Sequence, residues 1–398
     1  MNTVTTFTPL EAVNKIRDDN HGQVVLVLQG GGALGAYQGG VYQALHESGV
    51  EPDWIIGTSI GAINASLVAG NKVEDRLLRL QEFWGRVQRS VLWIPGWPEV
   101  ADALSTWMTL ARGVSGFFET NLRAFLGVQV PLGADHAGYY STEPLRRTLE
   151  ELVDFSLISS GHPRLTLGAA QVRTSMMRYF DSKEMKLDSR HIMASGALPP
   201  AFPAVRIDGE LYWDGGVLSN TPTERIFDDN PRRNSLIFCV HLWHAAGPEP
   251  ETIGQILNRQ KDIQYSSRIA DHTMRQLETH RLRHVIMKLL DYVPEEVKRD
   301  PLVKELGGYS CKTRMHMVLL LAPRLDNESY TKDIDFSPAG ISKRWETGYA
   351  DTLRALAQQR WIGEFDPLDG VVLHEPDDGP TADQPSLEEV ATPQLAAE

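Results

Sequence analysis

Two short stretches dictate most of what this chain can fold into. In VVLVLQGGGALGAYQGG, residues 24–40, an apolar run rich in valine and leucine stops at a glycine cluster, and an Ala/Leu/Tyr segment follows. In DWIIGTSIGAINASLVAG, residues 53–70, a second apolar run stops at Gly57-Thr58-Ser59-Ile60-Gly61 before another helical segment. Each reads as strand, tight turn and helix in that order. Further strands are predicted at 165–173, 177–180 and 235–243. Strands alternating with helices give an α/β fold with a mostly parallel central sheet and helices on both faces.

The chain divides by composition. Residues 1–21 read as an arm and residues 22–245 as the main α/β domain. An aromatic-rich insertion over about 91–140 carries Trp93, Trp97, Trp107, Phe117 and Phe118. Aromatic residues at loose helical spacing usually form core. The alternative is a lid or acyl-chain surface. Residues 246–363 form a mainly helical C-terminal module, an α/β extension with a long helix at 253–290, a strand at 315–321 and a helix at 341–357.

The long helix places Ile253, Ile256, Leu257, Ile263, Met274, Leu277, Val285, Ile286 and Leu289 at helical spacing. Packing of that stripe on the main domain is expected. Its seven basic residues against three acids leave contact with an anionic membrane as the alternative. Residues 364–398 are rich in Pro, Gly and acid and are expected to be disordered.

The net charge of −13 over 398 residues owes ten of its negative charges to that tail, so the body is nearly neutral. Nothing in it argues for nucleic acid as a partner. Cys239 and Cys311 have no metal-ligand spacing and are too few for a disulfide framework, which points to a reducing compartment. There is no apolar signal core and no run of 18 apolar residues, so a cytoplasmic protein is expected, with peripheral membrane contact open.

Gly30, Gly32 and Gly35 satisfy G-x-G-x-x-G, the dinucleotide fingerprint. That reading requires an acidic residue at the end of the second strand, whereas Asp53 stands at its start. The end of that strand runs instead into G-x-S-x-G, the pattern of a nucleophile elbow. Gly57 and Gly61 let strand and helix pass closely, and Ser59 is left exposed at a helix N-terminus that favours developing negative charge. A serine needs a base. In YWDGGVLSNTP, Asp214 precedes two glycines and can accept the serine proton if its surroundings are dry enough. Gly30, Gly31 and Gly32 can turn backbone amides toward an oxyanion, with the Ile60 N–H as a further donor.

Four blocks carry a family resemblance: GGGALGAYQGGVYQAL at 30–45, GTSIGAINA at 57–65, ASGALPPAFPAV at 194–205 and DGGVLSNTP at 214–222. In order and content they resemble the patatin-like phospholipases. The resemblance implies a three-layer α/β/α fold for residues 22–245 and a Ser–Asp dyad in place of a Ser–His–Asp triad. Mapped by motif, Ser59 is the nucleophile, Asp214 the general base, and Gly30, Gly31 and Gly32 the oxyanion loop. No metal or organic cofactor is implied. Two positions depart from the family. Gln29 stands where the loop usually begins with Asp, and Leu34 stands where it usually carries Arg or Lys.

The activity expected is a serine acyl hydrolase cleaving lipid carboxylic esters through an acyl-enzyme. Esters of other kinds, such as hydroxyalkanoates, remain open because the loop cation is missing. A non-catalytic lipid-binding or scaffold protein on the same fold is the second reading. His241 and His244 follow Asp214 in triad order, but a hydrogen-bonded core histidine is the plainer reading of His241.

Overall fold

The first apolar run, QVVLVL, forms β1 (Gln23–Leu28), buried along its whole length. Side chains alternate across a strand. Val24, Leu26 and Leu28 therefore enter one core and Val25 and Val27 another. The computed structural model describes residues 7–18, 22–89, 111–325 and 330–375. Trp93, Trp97 and Trp107 of the aromatic insertion lie outside the described residues.

The remaining strands, in chain order, are β2 (Trp54–Thr58), β3 (Glu119–Thr120), β4 (Tyr140–Ser141), β5 (Arg164–Gln171), β6 (Met176–Asp181), β7 (Val205–Ile207), β8 (Glu210–Asp214), β9 (Ser235–His241), β10 (Met315–Leu321) and β11 (Val371–His374). Strands β3 and β4 form a separate antiparallel pair. The central sheet runs β11-β10-β9-β1-β2-β5-β8-β7, with β6 also on β5. From β11 to β5 every pairing is parallel, and β6, β8 and β7 join antiparallel. Strand β5 is shared lengthwise. Its residues 164–168 pair with β2, and Ala169 beyond them faces Asp214. That division brings the end of β8 beside the end of β2.

Helices α1 (Pro9–Asp18), α2 (Ala36–Glu47), α3 (Ile60–Ala69), α4 (Val73–Arg86), α5 (Glu143–Leu152), α6 (Ser189–Ser195), α7 (Ile253–Asp291) and α8 (Pro338–Gln358) surround this sheet. Residues of α1–α6 and α8 enter the core of Leu26, whereas Leu277 of α7 packs on the core of Val25. The layers are helix, sheet and helix. Helix α2 lies tightly along α8, where a Cβ on Gly40 would stand 1.9 Å from the Trp345 carbonyl oxygen.

Several sequence expectations change. The arm contains α1, whose Ala12 and Val13 are fully buried. The sheet crosses the boundary expected at residue 245, because β10 extends it from β9 and β11 extends it from β10. Val371–His374 thus lies in a strand, not a disordered tail; the short apolar run VVLH pairs despite its acidic surroundings. The rest of that tail from 376 is outside the described residues.

Helix α7 packs as expected only in part: Leu277 lies on the core of Val25, and Met274, Val285 and Ile286 are half-buried. Ile253, Ile256, Leu257, Ile263 and Leu289 are exposed, while Asp262, Ser266, His280 and His284 are buried. Asp262, Ser266 and His284 have partners that sequence periodicity cannot reveal, whereas His280 packs on the Phe227 ring without a hydrogen bond to either ring nitrogen among the described residues. Lys332 Nζ lies 2.8 Å from Asp262, and the His284 ring nitrogens lie 3.0 Å from the carbonyl oxygens of Pro367 and Thr313.

Candidate active site

Ser59 sits between β2 and α3 at φ 56°, ψ −123°, outside the regions that a side chain ordinarily allows. Such strain costs on the order of 1–3 kcal/mol and persists only where the surroundings over-determine it. Here they do. The Ser59 N–H donates to Ser195 Oγ at 3.0 Å, and Ser195 in turn donates to the Gly168 carbonyl at 2.6 Å. The elbow glycines allow the crossing: a Cβ on Gly57 would lie 2.4 Å from the Gly61 carbonyl oxygen, and one on Gly61 2.2 Å from that of Leu28. Ile60 opens α3, so its N–H is one of the unpaired donors of a helix start.

Asp214 ends β8 and is 2% exposed. Its carboxylate accepts the Gly216 N–H at 2.7 Å, and the Ser59 hydroxyl beside it also lowers its pKa. Burial raises its pKa to about 6, against the opposing pull of those two groups. A dry carboxylate of that basicity is ionised at neutral pH and accepts a proton more readily than an ordinary aspartate.

The glycine loop abuts Ser59 directly, since a Cβ on Gly30 would stand 3.0 Å from Ser59 Cβ and 2.4 Å from Asn220 Oδ1. The Gly30 N–H is taken by the Asn220 carbonyl at 3.3 Å. Among the described residues no backbone acceptor takes up the N–H of Gly31 or Gly32. Gly32 has φ +56°, and its missing Cβ makes room for the Asp333 carbonyl 2.2 Å from where that atom would be. The G-x-G-x-x-G spacing thus serves close packing around Ser59; Asp53, at the far end of β2, is occupied with Arg17 and the Val24 N–H.

Of the residues singled out by motif, Gly30, Gly31, Gly32, Ser59, Ile60 and Asp214 line one pocket of about 180 Å³, while the elbow glycines Gly57 and Gly61 do not. Its remaining wall is mostly apolar, with Ile63, Leu145, Met193, Leu198, Phe202 and Phe336 among the lining residues. Phe117 and Phe118 of the insertion also line it while packing against each other and against Phe202, so here core and pocket wall are the same residues. His241 and His244 do not line it. His241 is buried in β9, where burial lowers its pKa to about 4.

The C-terminal residues that close the pocket have no local signal in sequence. Tyr265, Asp333, Ile334 and Phe336 all line it. Their position explains both departures from the family pattern. Gln29 is fully buried, and its Oε1 accepts the N–H groups of Leu242 and Trp243 while its Nε2 donates to Thr221 Oγ1 at 2.8 Å and the Tyr265 carbonyl at 3.3 Å. An aspartate there has no donor for the Tyr265 carbonyl. Leu34 is 3% exposed and lines a small recess that Leu242, Ala322, Pro323 and Leu325 share with Tyr37, His244 and Arg344, where a second cation would meet the Arg344 charge. Asn220, whose Nδ2 donates to the Gly30 carbonyl at 3.0 Å, lies inside the DGGVLSNTP block, so that block held its signal.

A family model described as patatin-like phospholipase matches residues 26–227, half of the chain. The chain belongs to the patatin-like phospholipase family. A second model, described as patatin phospholipase, matches residues 263–368, the part that supplies Tyr265, Asp333 and Phe336. An uncharacterised NTE family protein of Mycobacterium tuberculosis is 27% identical over 54% of this chain and 30% of its own length. Lysophospholipase NTE1 of Debaryomyces hansenii is 28% identical over 59% of this chain and 13% of its own. This chain therefore spans less than a third of either relative. Among solved structures, VipD from Legionella pneumophila covers 89% of this patatin-family chain at 17% identity, with a TM-score of 0.37 over 72% of VipD.

Proposed function

We propose that this chain is a serine acyl hydrolase of lipid carboxylic esters, working through a Ser59–Asp214 dyad. One juxtaposition carries the reading: the Ser59 hydroxyl and the buried Asp214 carboxylate stand together at the head of an apolar pocket fit for an acyl chain. Asp214 takes the Ser59 proton as Oγ attacks the ester carbonyl, and the developing oxyanion is held by N–H groups of Gly31, Gly32 and Ile60. The alcohol leaves with the proton from Asp214. Water, deprotonated by Asp214, then releases the acyl group. The lysophospholipase name of the Debaryomyces relative agrees with a lipid ester as substrate.

An alkyl fluorophosphonate tests this. Labelling of the folded protein at Ser59, read by peptide mass, is the expected result. Failure to label an accessible, folded protein leaves the scaffold reading in its place.

The same proposal puts the lipid surface against residues 122–130. Leu122, Phe125 and Val128 there are 80%, 64% and 82% exposed. This segment leaves the β3–β4 pair, beside which Phe118 and Tyr140 line the pocket. No helix among the described residues is long and apolar enough to cross a membrane. Apolar side chains at an interface contribute by area, about 25 cal/mol per Å². A Leu122→Asp/Phe125→Asp/Val128→Asp variant is expected to lose at least roughly tenfold in sedimentation with phosphatidylcholine vesicles. Its hydrolysis of a monomeric short-chain p-nitrophenyl ester should fall much less. Equal vesicle binding by variant and wild type places the contact elsewhere.

A further inference from the structure

A second recess, of about 240 Å³, shares Gly216, Asn220 and Tyr265 with the acyl pocket and so lies across the Asp214 turn from it. We propose that it is the subsite for the leaving alcohol and that it selects an uncharged, hydroxyl-bearing group such as glycerol over an anionic phosphate headgroup. The inference rests on the acyl-hydrolase reading of Ser59.

An ester has two arms, and one apolar pocket accommodates only the acyl arm. In acyl transfer the Ser59 Oγ–carbonyl bond forms, the bond from the carbonyl carbon to the alcohol oxygen breaks, and Asp214 returns its proton to that oxygen. The departing oxygen must therefore lie beside Asp214. The recess begins there, at Gly216, whose N–H donates to the Asp214 carboxylate at 2.7 Å.

Met177, Val217 and Leu218 line part of the recess, and its polar groups are uncharged except for one acid. Ser219, Thr221, Thr223 and Gln264 offer hydroxyls and an amide, and Glu224 adds a carboxylate that accepts the Tyr179 hydroxyl. Hydroxyls and amides both donate and accept, which suits a polyol. No Lys or Arg is among the residues lining either pocket, whereas Asp214, Asp333 and Glu224 are. Recognition of a phosphate ordinarily relies on Arg, Lys or convergent N–H groups. Lys261 pairs with Asp333 at 2.6 Å, so the like charge that a phosphate meets here is that of Asp214 and Glu224. Leu34, buried where the family pattern carries a cation, leaves the loop without one as well.

The experiment compares kcat/KM for 1-oleoylglycerol and for 1-oleoyl lysophosphatidic acid in the same neutral detergent micelles. Wild type is expected to favour the glycerol ester by roughly tenfold or more, and Glu224→Lys to shrink that ratio by roughly tenfold. Glu224→Gln, which removes the charge at constant size, is expected to shrink it by about threefold and serves if the lysine variant does not fold. A wild-type preference for the anionic ester overturns the proposal, as does a ratio unmoved by both variants. Fluorophosphonate labelling of the wild type separates the two readings. Labelling with an unmoved ratio sinks the subsite alone, and absence of labelling sinks the acyl hydrolase beneath it.

Discussion

An Asp214→Asn variant is expected to lose about 10³- to 10⁴-fold in kcat/KM and yet to unfold at a higher temperature at neutral pH. The two effects have one cause. Burial raises the Asp214 pKa from 3.8 to about 6. The unfolded chain ionises this carboxyl near its ordinary value, so below about pH 4 both states are protonated and the group is neutral to stability. Between about pH 4 and pH 6 the unfolded state gives up the proton and the folded state keeps it. Stability falls as pH rises through that window, by about 1.4 kcal/mol per unit, and stays lower by about 3 kcal/mol above it.

Asparagine carries no charge to desolvate, and its carbonyl can still accept from the Gly216 N–H. The difference in thermal stability between variant and wild type should therefore be small at pH 4 and reach its plateau above pH 6. The wild-type rate should climb through the same interval, because the general base is active only when ionised. A variant less stable than wild type at pH 7 refutes the desolvation account. A wild-type rate flat from pH 5 to 8 argues against Asp214 as the base.

What could be read from the sequence was what is encoded locally. The elbow is five residues whose turn, strand and helix are consecutive, so Ser59, Gly57 and Gly61 were legible without knowledge of the rest. The glycine loop is local in the same way, and so is Asp214 as the head of its block. Its position beside Ser59 depends on β5 pairing with β2 along one part and with β8 along the next. That is a fact of the sheet and not of any window of sequence.

The other half of the pocket was hidden for the same reason. Tyr265 and Asp333 lie more than 200 residues beyond Ser59 in the chain and reach the site only because α7 and the segment before α8 pack over the glycine loop. Helix α7 misled the periodicity argument because hydrophobic spacing assumes that polar residues face water. Asp262 does not. It is buried because Lys332 is buried against it, and Lys332 stands next to the Asp333 whose carbonyl fills the space at Gly32. The Gln29 and Leu34 departures carried a real signal, since both are explained by groups from beyond residue 240.

Ser59→Ala is expected to abolish fluorophosphonate labelling and to lower ester hydrolysis by about 10⁴- to 10⁶-fold, the range seen when a serine nucleophile is removed. The fold should not change. The elbow is held through the backbone of residue 59, by its N–H on Ser195 Oγ and its carbonyl accepting from Ala62 and Ile63, and none of these contacts uses the hydroxyl. The hydroxyl has a separate, measurable role. It holds the Asp214 pKa down against burial, so its removal should move the Asp214 titration upward from about 6. An isotope-edited carboxyl signal that shifts upward in Ser59→Ala establishes the contact between the two groups independently of turnover. Full hydrolysis by a folded Ser59→Ala protein would place the nucleophile elsewhere. An unshifted titration would mean that Ser59 and Asp214 share a pocket without sharing a proton, and the dyad would have to be abandoned even if Ser59 were labelled.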